Sequence, residues 1–152
     1  MLEVLIAVAV AAIALMGTLT AIASIMRLTD SNHEQSLALN IARQKLAELQ
    51  IAPFQSAFAL FGPGSPANSS SVAQLDSGTV KFVFPVNESG KLDETVIDEQ
   101  MGMPSDLNGN GNATDRDVST TYNLLPVRIQ LTWKSPNGPR EMSLNTVLTK
   151  MK

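Results

Sequence analysis

The sequence contains no cysteine and only one histidine, His33. Without cysteine the chain forms no disulfide, presents no thiolate nucleophile and builds no cysteine-ligated zinc site. Catalysis needs convergent groups, and neither a paired histidine nor a glycine-rich phosphate loop is present. The acidic pairs Asp93-Glu94 and Asp98-Glu99 are expected to be solvated loop residues rather than an acid/base pair. We therefore predict that the protein is not an enzyme.

The chain also lacks an excess of positive charge. Its 11 Lys and Arg residues are outnumbered by 14 Asp and Glu residues, which gives a net charge of −3 and a pI near 5.0. The basic residues are scattered, with no cluster that would follow a phosphate backbone. We predict no contact with nucleic acid. The length of 152 residues suits one small domain.

Charge is almost absent from the opening segment, "MLEVLIAVAVAAIALMGTLTAIASIM". Glu3 is followed by 23 uncharged residues, Val4 to Met26. At a helical rise of 1.5 Å per residue these reach about 34 Å, which is close to the thickness of a bilayer's hydrocarbon core. A secretory signal peptide would begin with basic residues, whereas an acid stands here. Residues 1–26 are therefore predicted to form a membrane-spanning helix.

Glu3 is the residue that a plain membrane anchor does not explain. A carboxylate at the edge of hydrocarbon is costly unless it is paired, and such residues usually mark function. Its partner is the α-amino group of its own chain or, in an array of parallel helices, that of a neighbouring chain. The alternative is an acid solvated by lipid headgroups.

The stretch "LEVLIAVAVAAIALMG" resembles the N-terminal segment of type IV pilins and of type II secretion pseudopilins. The resemblance implies that a prepilin peptidase removes a basic leader, that the new N-terminus is methylated, and that assembly machinery extracts the subunit from the inner membrane. It also implies that Glu3 neutralises the N-terminal amine of an adjacent subunit, at Met1 in this chain. The family has four residues before this glutamate and this chain has two. Either two residues and the leader are missing from this sequence, or Met1 is a start codon placed late.

The helical pattern continues through residues 27–52. Gly17 is the local weak point of the first half, because glycine costs a helix about 1 kcal/mol relative to alanine. An apolar stripe, Leu39, Ala42, Leu46 and Leu49, follows at helical spacing, and Pro53 supplies the stop. We predict one helix of about 50 residues, amphipathic in its second half. "ALNIARQKLAEL" also resembles the corresponding stretch of minor pilins and of one pseudopilin class.

Residues 53–152 are predicted to form a globular head. Residues 53–78 read as a loop, 79–86 as a strand, and 120–150 as strands that include a hairpin turning at "SPNGP". Pro126 is expected at a strand edge or bulge. The predicted fold class is α+β, with a long N-terminal helix packed at its C-terminal half on a small antiparallel sheet.

The segment 105–118 contains "DLNGNGNATDRD", which resembles the EF-hand calcium loop with Asp in place of the terminal Glu. The predicted Ca²⁺ ligands are oxygen atoms of six residues: Asp106, Asn108, Asn110, Asn112, Asp115 and Asp117. No helical pattern flanks the loop, so the alternative is a soluble Asn-Gly turn.

Three tripeptides have the form of N-glycosylation acceptors, beginning at Asn68, Asn87 and Asn112. Asn68 and Asn87 are the candidate sites, because a glycan on Asn112 would conflict with a closed ion site.

Three functions follow as hypotheses. The first is a subunit of a type IV pilus-like extracellular filament, a homo-oligomer formed through the N-terminal helices. The second is a secretion pseudopilin, which would be periplasmic. The third is a monomeric, single-pass anchored calcium-binding module.

Overall fold

The computed structural model describes residues 1–136 and 138–150. Its first element is helix α1, Leu2–Ile51, which continues through Gly17 without a break. Pro53 follows directly, and its ring lacks the N–H that another helical turn would use. The predicted long helix and its stop at Pro53 are therefore found.

The chain divides into two compact units, Met1–Ser36 and Leu37–Lys152. The first, which we call the helix unit, contains only the N-terminal part of α1. The second, the sheet unit, contains the end of α1, a second helix and an antiparallel sheet. The predicted α+β fold class is confirmed.

The sheet has four strands among the described residues: β1 (Ser69–Val72), β2 (Gly78–Val83), β3 (Leu124–Ser135) and β4 (Gly138–Thr149). They are antiparallel and lie in the order β1-β2-β3-β4. The strongly alternating residues of β3 lie inside as their period requires, since Val127, Ile129, Leu131 and Trp133 are all buried.

The β3–β4 hairpin pairs Ser135 with Gly138, and Asn137 of the predicted turn lies outside the described residues. Pro126 pairs with Val147 of β4 but lies beyond Val83↔Arg128, the last pair between β2 and β3. A residue without an N–H is tolerated there because the β2 side of the ladder has already ended.

The segment 53–78 is not the plain loop that its composition suggests. Helix α2 (Phe54–Phe61) begins just after Pro53, and β1 lies further along. The spacing of Phe54, Ala57, Phe58 and Phe61 is helical, and burial of Ala57 and Phe58 stabilises this short helix. The turn-rich composition concealed this pattern.

The end of α1 buries a stripe shifted from the predicted one. Ala42 and Leu49 are buried and Leu46 partly so, as expected. Leu39, however, is only half-buried, and Ala38 and Ile41 occupy the centre of the contact instead. Ala38, Ile41, Ala42 and Leu49 share one face of the helix at 3-1-7 spacing, and Leu39 lies at the margin of that face.

Tyr122 anchors α2 to the core of the sheet unit. It is fully buried, its hydroxyl donates to the Phe54 carbonyl oxygen at 2.6 Å, and it accepts from the Phe58 N–H at 3.3 Å. Its ring lies 5.0 Å from that of Phe54. Burial raises the pKa of Tyr122, although the Phe58 hydrogen bond partly opposes the rise. The hydroxyl therefore remains a donor at neutral pH.

We expect Tyr122→Phe to lower the free energy of unfolding by about 1 kcal/mol, because it removes the two hydrogen bonds that the hydroxyl makes with the backbone of α2. Denaturant unfolding followed by circular dichroism measures this. Replacing the exposed neighbour Thr121 with Ala is the matched control. Equal midpoints for the two variants would contradict the anchoring role.

Candidate assembly helix and polar loop

The first candidate site is the apolar surface of the helix unit. Every side chain from Leu2 to Met26 is exposed, and the stretch is long and apolar enough to cross a membrane. A soluble protein rarely exposes a contiguous apolar surface of this extent unless another molecule or a lipid phase covers it. This surface is available for such cover.

Four hydroxyl groups on this helix already have acceptors. Thr18, Thr20, Ser24 and Thr29 each donate to a carbonyl oxygen three or four residues earlier, at distances of 2.9 to 3.1 Å. A buried hydroxyl without a hydrogen bond is costly, and these bonds remove most of that cost. These hydroxyl groups therefore add little to the cost of placing the helix in an apolar surrounding.

Glu3 and Met1 lie at the start of this surface. Glu3 occupies the first turn of α1, where its negative charge is favourable to the helix dipole. No salt bridge joins it to another described residue. Both residues are exposed, so carboxylate and terminal amine are accessible to a second molecule.

Gly17, the predicted weak point, lies in open surroundings. A Cβ added there would meet no atom within 4 Å. The nearby hydroxyls of Thr18 and Thr20 bond to the carbonyls of Leu15, Met16 and Gly17 itself. The helix is intact here, and its weakness at Gly17 stays a prediction.

The second candidate site is the polar loop, residues 105–118, and Asp106 organises it. The two carboxylate oxygens of Asp106 accept from the N–H groups of Gly109 at 2.6 Å, Asn110 at 3.2 Å and Gly111 at 2.7 Å. Partial removal from water raises the pKa of Asp106, but these backbone bonds outweigh it and hold the pKa below its ordinary value.

Four of the six predicted calcium ligands are brought together: Asp106, Asn108, Asn110 and Asp115. Asp117 is not one of them. One carboxylate oxygen of Asp115 accepts from the side-chain amides of both Asn108 and Asn110, each at 2.8 Å. Asp117 instead accepts from Ser119 and pairs with Lys91 at 3.5 Å. The twelfth position of the calcium frame is thus directed elsewhere.

Asn112, another of the predicted ligands, is exposed, and its N–H donates to the side-chain oxygen of Asn110 at 2.8 Å. The described residues contain no group of three or more His, Cys, Asp or Glu side chains placed to hold a metal. Side-chain amides and backbone N–H groups hold the loop closed. Among the four predicted ligands that lie together, two are carboxylates, Asp106 and Asp115.

Glu94 is the residue that sequence reasoning missed. It was expected to be solvated, yet its exposure is 0%. Its carboxylate accepts from the N–H groups of Leu107 at 2.8 Å, Asn108 at 3.2 Å and Asp115 at 3.2 Å, so it fixes both ends of the polar loop. The sequence marks Glu94 only as one of two adjacent acids, which does not indicate burial.

The other acids of this run are also structural. Asp93 is buried and bonds to the N–H and hydroxyl of Thr95. Burial raises the pKa of Asp93, but the hydrogen bonds from Thr95 and Asn87 and the charge of Arg116 together offset this, and the pKa is lowered. Asp98 binds one guanidinium nitrogen of Arg128 through both oxygens, at 2.7 and 2.9 Å. Only Glu99 is exposed as expected.

The two candidate glycosylation sites are engaged in the fold. Asn68 is 9% exposed, and its amide nitrogen donates to the carbonyls of Phe61 and Phe82, so this nitrogen is not available in the folded chain. Asn87 is half-buried and donates to the Arg116 carbonyl at 2.8 Å. Modification of Asn87 stays a prediction.

Comparisons with models of protein families, with curated proteins and with solved structures give no match to this chain.

We expect acidification to destabilise the sheet unit through Asp93, Asp106 and Asp117. The pKa of each is below the ordinary value of 3.8, so folding favours the charged form. The stability that they contribute is present in full above pH 3.8 and is lost as the pH falls through the lower folded-state pKa values. Thermal unfolding measured at descending pH checks this.

The variant Asp106→Asn should flatten part of that acid dependence, because it cannot lose a charge there. Glu88→Gln, which changes an exposed acid, is the control. An acid profile that is the same for Asp106→Asn and the unmodified chain would exclude a contribution from Asp106.

Proposed function

We propose that the protein is a structural subunit of a type IV pilus-like filament, held in the inner membrane before assembly and extracellular afterwards. The observation that carries this proposal is a continuous helix whose side chains from Leu2 to Met26 are all exposed, with one unpaired carboxylate in its first turn. The resemblance of "LEVLIAVAVAAIALMG" to pilins gives the same reading.

The apolar surface supplies the main driving force for leaving water. Burying one Leu or Ile side chain contributes roughly 1.5–3 kcal/mol relative to exposure. A bilayer and a bundle of such helices both provide this, so hydrophobicity does not choose between them. Packing and polar pairing between helices decide association in an apolar phase.

Glu3 provides the polar pairing. In a bundle of parallel helices shifted along their axes, its carboxylate meets the N-terminal amine of a neighbouring subunit. Opposite charges attract strongly where water is excluded. The pair would neutralise two charges that each subunit otherwise buries alone, and it would fix the axial register of the bundle.

We expect Glu3→Ala to abolish filament assembly while leaving membrane insertion intact. A buried amine left without its partner costs about 3–5 kcal/mol, which is at least about a hundredfold in each association step. Electron microscopy of sheared cell-surface material and membrane fractionation measure the two properties. Glu3→Gln should behave similarly, because the amide carries no charge.

Asp30→Asn is the matched control, since it neutralises another exposed acid of α1 outside the apolar run. Normal filaments from Glu3→Ala would leave the anchored monomer as the better explanation. The upstream gene sequence gives a second check, since a basic leader ending in Gly a few residues before Leu2 is expected.

A secretion pseudopilin is the alternative within this class, because no residue of the chain separates the two. It would form a short periplasmic structure instead of a surface filament. The same microscopy distinguishes them by the presence or absence of surface fibres.

Calcium binding by the polar loop stays a prediction. Asp106, Asn108, Asn110 and Asp115 lie together and offer oxygen atoms of the kind that Ca²⁺ prefers, whereas Asp117 faces Lys91. Calorimetric titration of the intact chain with Ca²⁺ at millimolar concentration tests it. The variant Asp106→Ala is expected to lose binding. No heat of binding would remove the anchored calcium-binding module as a hypothesis.

A further inference from the structure

The polar loop contains two Asn-Gly sequences in succession, Asn108–Gly109 and Asn110–Gly111. Asparagine followed by glycine is chemically labile, because the small glycine lets its backbone nitrogen reach the asparagine side chain. We propose that the Asp106 carboxylate protects both sequences from spontaneous deamidation, and that Asn108 and Asn110 convert to aspartate or isoaspartate when this contact is released.

The reaction proceeds without change of oxidation state. The glycine nitrogen loses its proton and attacks Cγ of the preceding asparagine, so that an N–Cγ bond forms. The Cγ–Nδ2 bond breaks, and ammonia leaves with that proton. Water then opens the resulting succinimide at either carbonyl, which yields aspartate or isoaspartate.

The first protective feature lies on the attacking atoms. The N–H of Gly109 donates to one oxygen of Asp106 at 2.6 Å, and the N–H of Gly111 donates to the other at 2.7 Å. A hydrogen bond to an anion favours the protonated nitrogen, and the adjacent negative charge opposes formation of the amide anion. Both nucleophiles required for the reaction are therefore suppressed by one side chain.

The second protective feature lies on the atoms under attack. Both side-chain amides are held at each end. Asn108 accepts from the Asn110 N–H at 2.9 Å, Asn110 accepts from the Asn112 N–H at 2.8 Å, and both donate to Asp115. These bonds restrict the rotation that would bring Cγ to the following nitrogen.

Conversion would alter the loop's own cohesion. Asn108 and Asn110 each supply an N–H₂ donor to Asp115. Aspartate at either position has no such donor and places a second negative charge beside Asp115. The product is a loop of mutually repelling carboxylates, so a first conversion weakens the contacts that protect the remaining asparagine.

The test is to incubate the intact chain in mildly alkaline buffer and to follow the two residues by peptide mass spectrometry, through the mass change that replaces NH₂ with OH. We expect deamidation at Asn108 and Asn110 to be at least about tenfold slower in the folded chain than in the same chain in urea. Equal rates in the two states would overturn the proposal.

Asp106→Ala and Asp106→Asn identify the protecting group. Both should speed deamidation in the folded chain, Asp106→Ala by about tenfold and Asp106→Asn by less, because asparagine keeps one acceptor oxygen. Asp117→Ala is the control, since this acid of the same loop contacts Ser119 and Lys91. Circular dichroism checks that each variant is folded. If Asp106→Ala is unfolded, the rate measured for Asp106→Asn is the deciding result. Unchanged rates in a folded Asp106 variant would assign the protection elsewhere.

Discussion

Burial of apolar side chains is confined to the sheet unit, whereas the apolar side chains of the helix unit are exposed. The other features of the molecule depend on this difference. Within the described residues, none before Ala38 is buried. The 23 uncharged residues from Val4 to Met26 thus contribute nothing to a core of their own. Water is an unfavourable surrounding for an apolar surface of this extent, which is why we propose that a membrane and then neighbouring helices cover it.

The sheet unit has a core of its own. Its buried residues come from the end of α1, from α2 and from the inner face of the sheet. Tyr122 and the aromatic pairs Phe58–Phe84 and Phe61–Phe82 tie α2 to this core. This core is built from residues from Leu37 onwards, and no described residue of the helix unit takes part in it.

Features with a strong period or a hard steric rule were predictable from the sequence. These include the long helix, the stop at Pro53 and the inward face of β3. Helix α2 was concealed because turn-forming residues follow it closely. The burial of Glu94 was not predictable, since an acid is buried only where a distant segment supplies donors. Those donors are the backbone N–H groups of Leu107, Asn108 and Asp115, which no side-chain pattern announces.

Glu94 also shows what a carboxylate needs when it leaves water. This chain surrounds it with three N–H donors drawn from two places in the sequence. Glu3 begins the apolar stretch of α1, yet no described residue donates a hydrogen bond to its carboxylate or forms a salt bridge with it. The two acids therefore differ in one respect. Glu94 receives its hydrogen bonds from within the chain, whereas the carboxylate of Glu3 has no such partner. In the filament that we propose, the compensating charge for Glu3 comes from another molecule, because parallel packing of helices brings the terminal amine of a second copy close to this carboxylate.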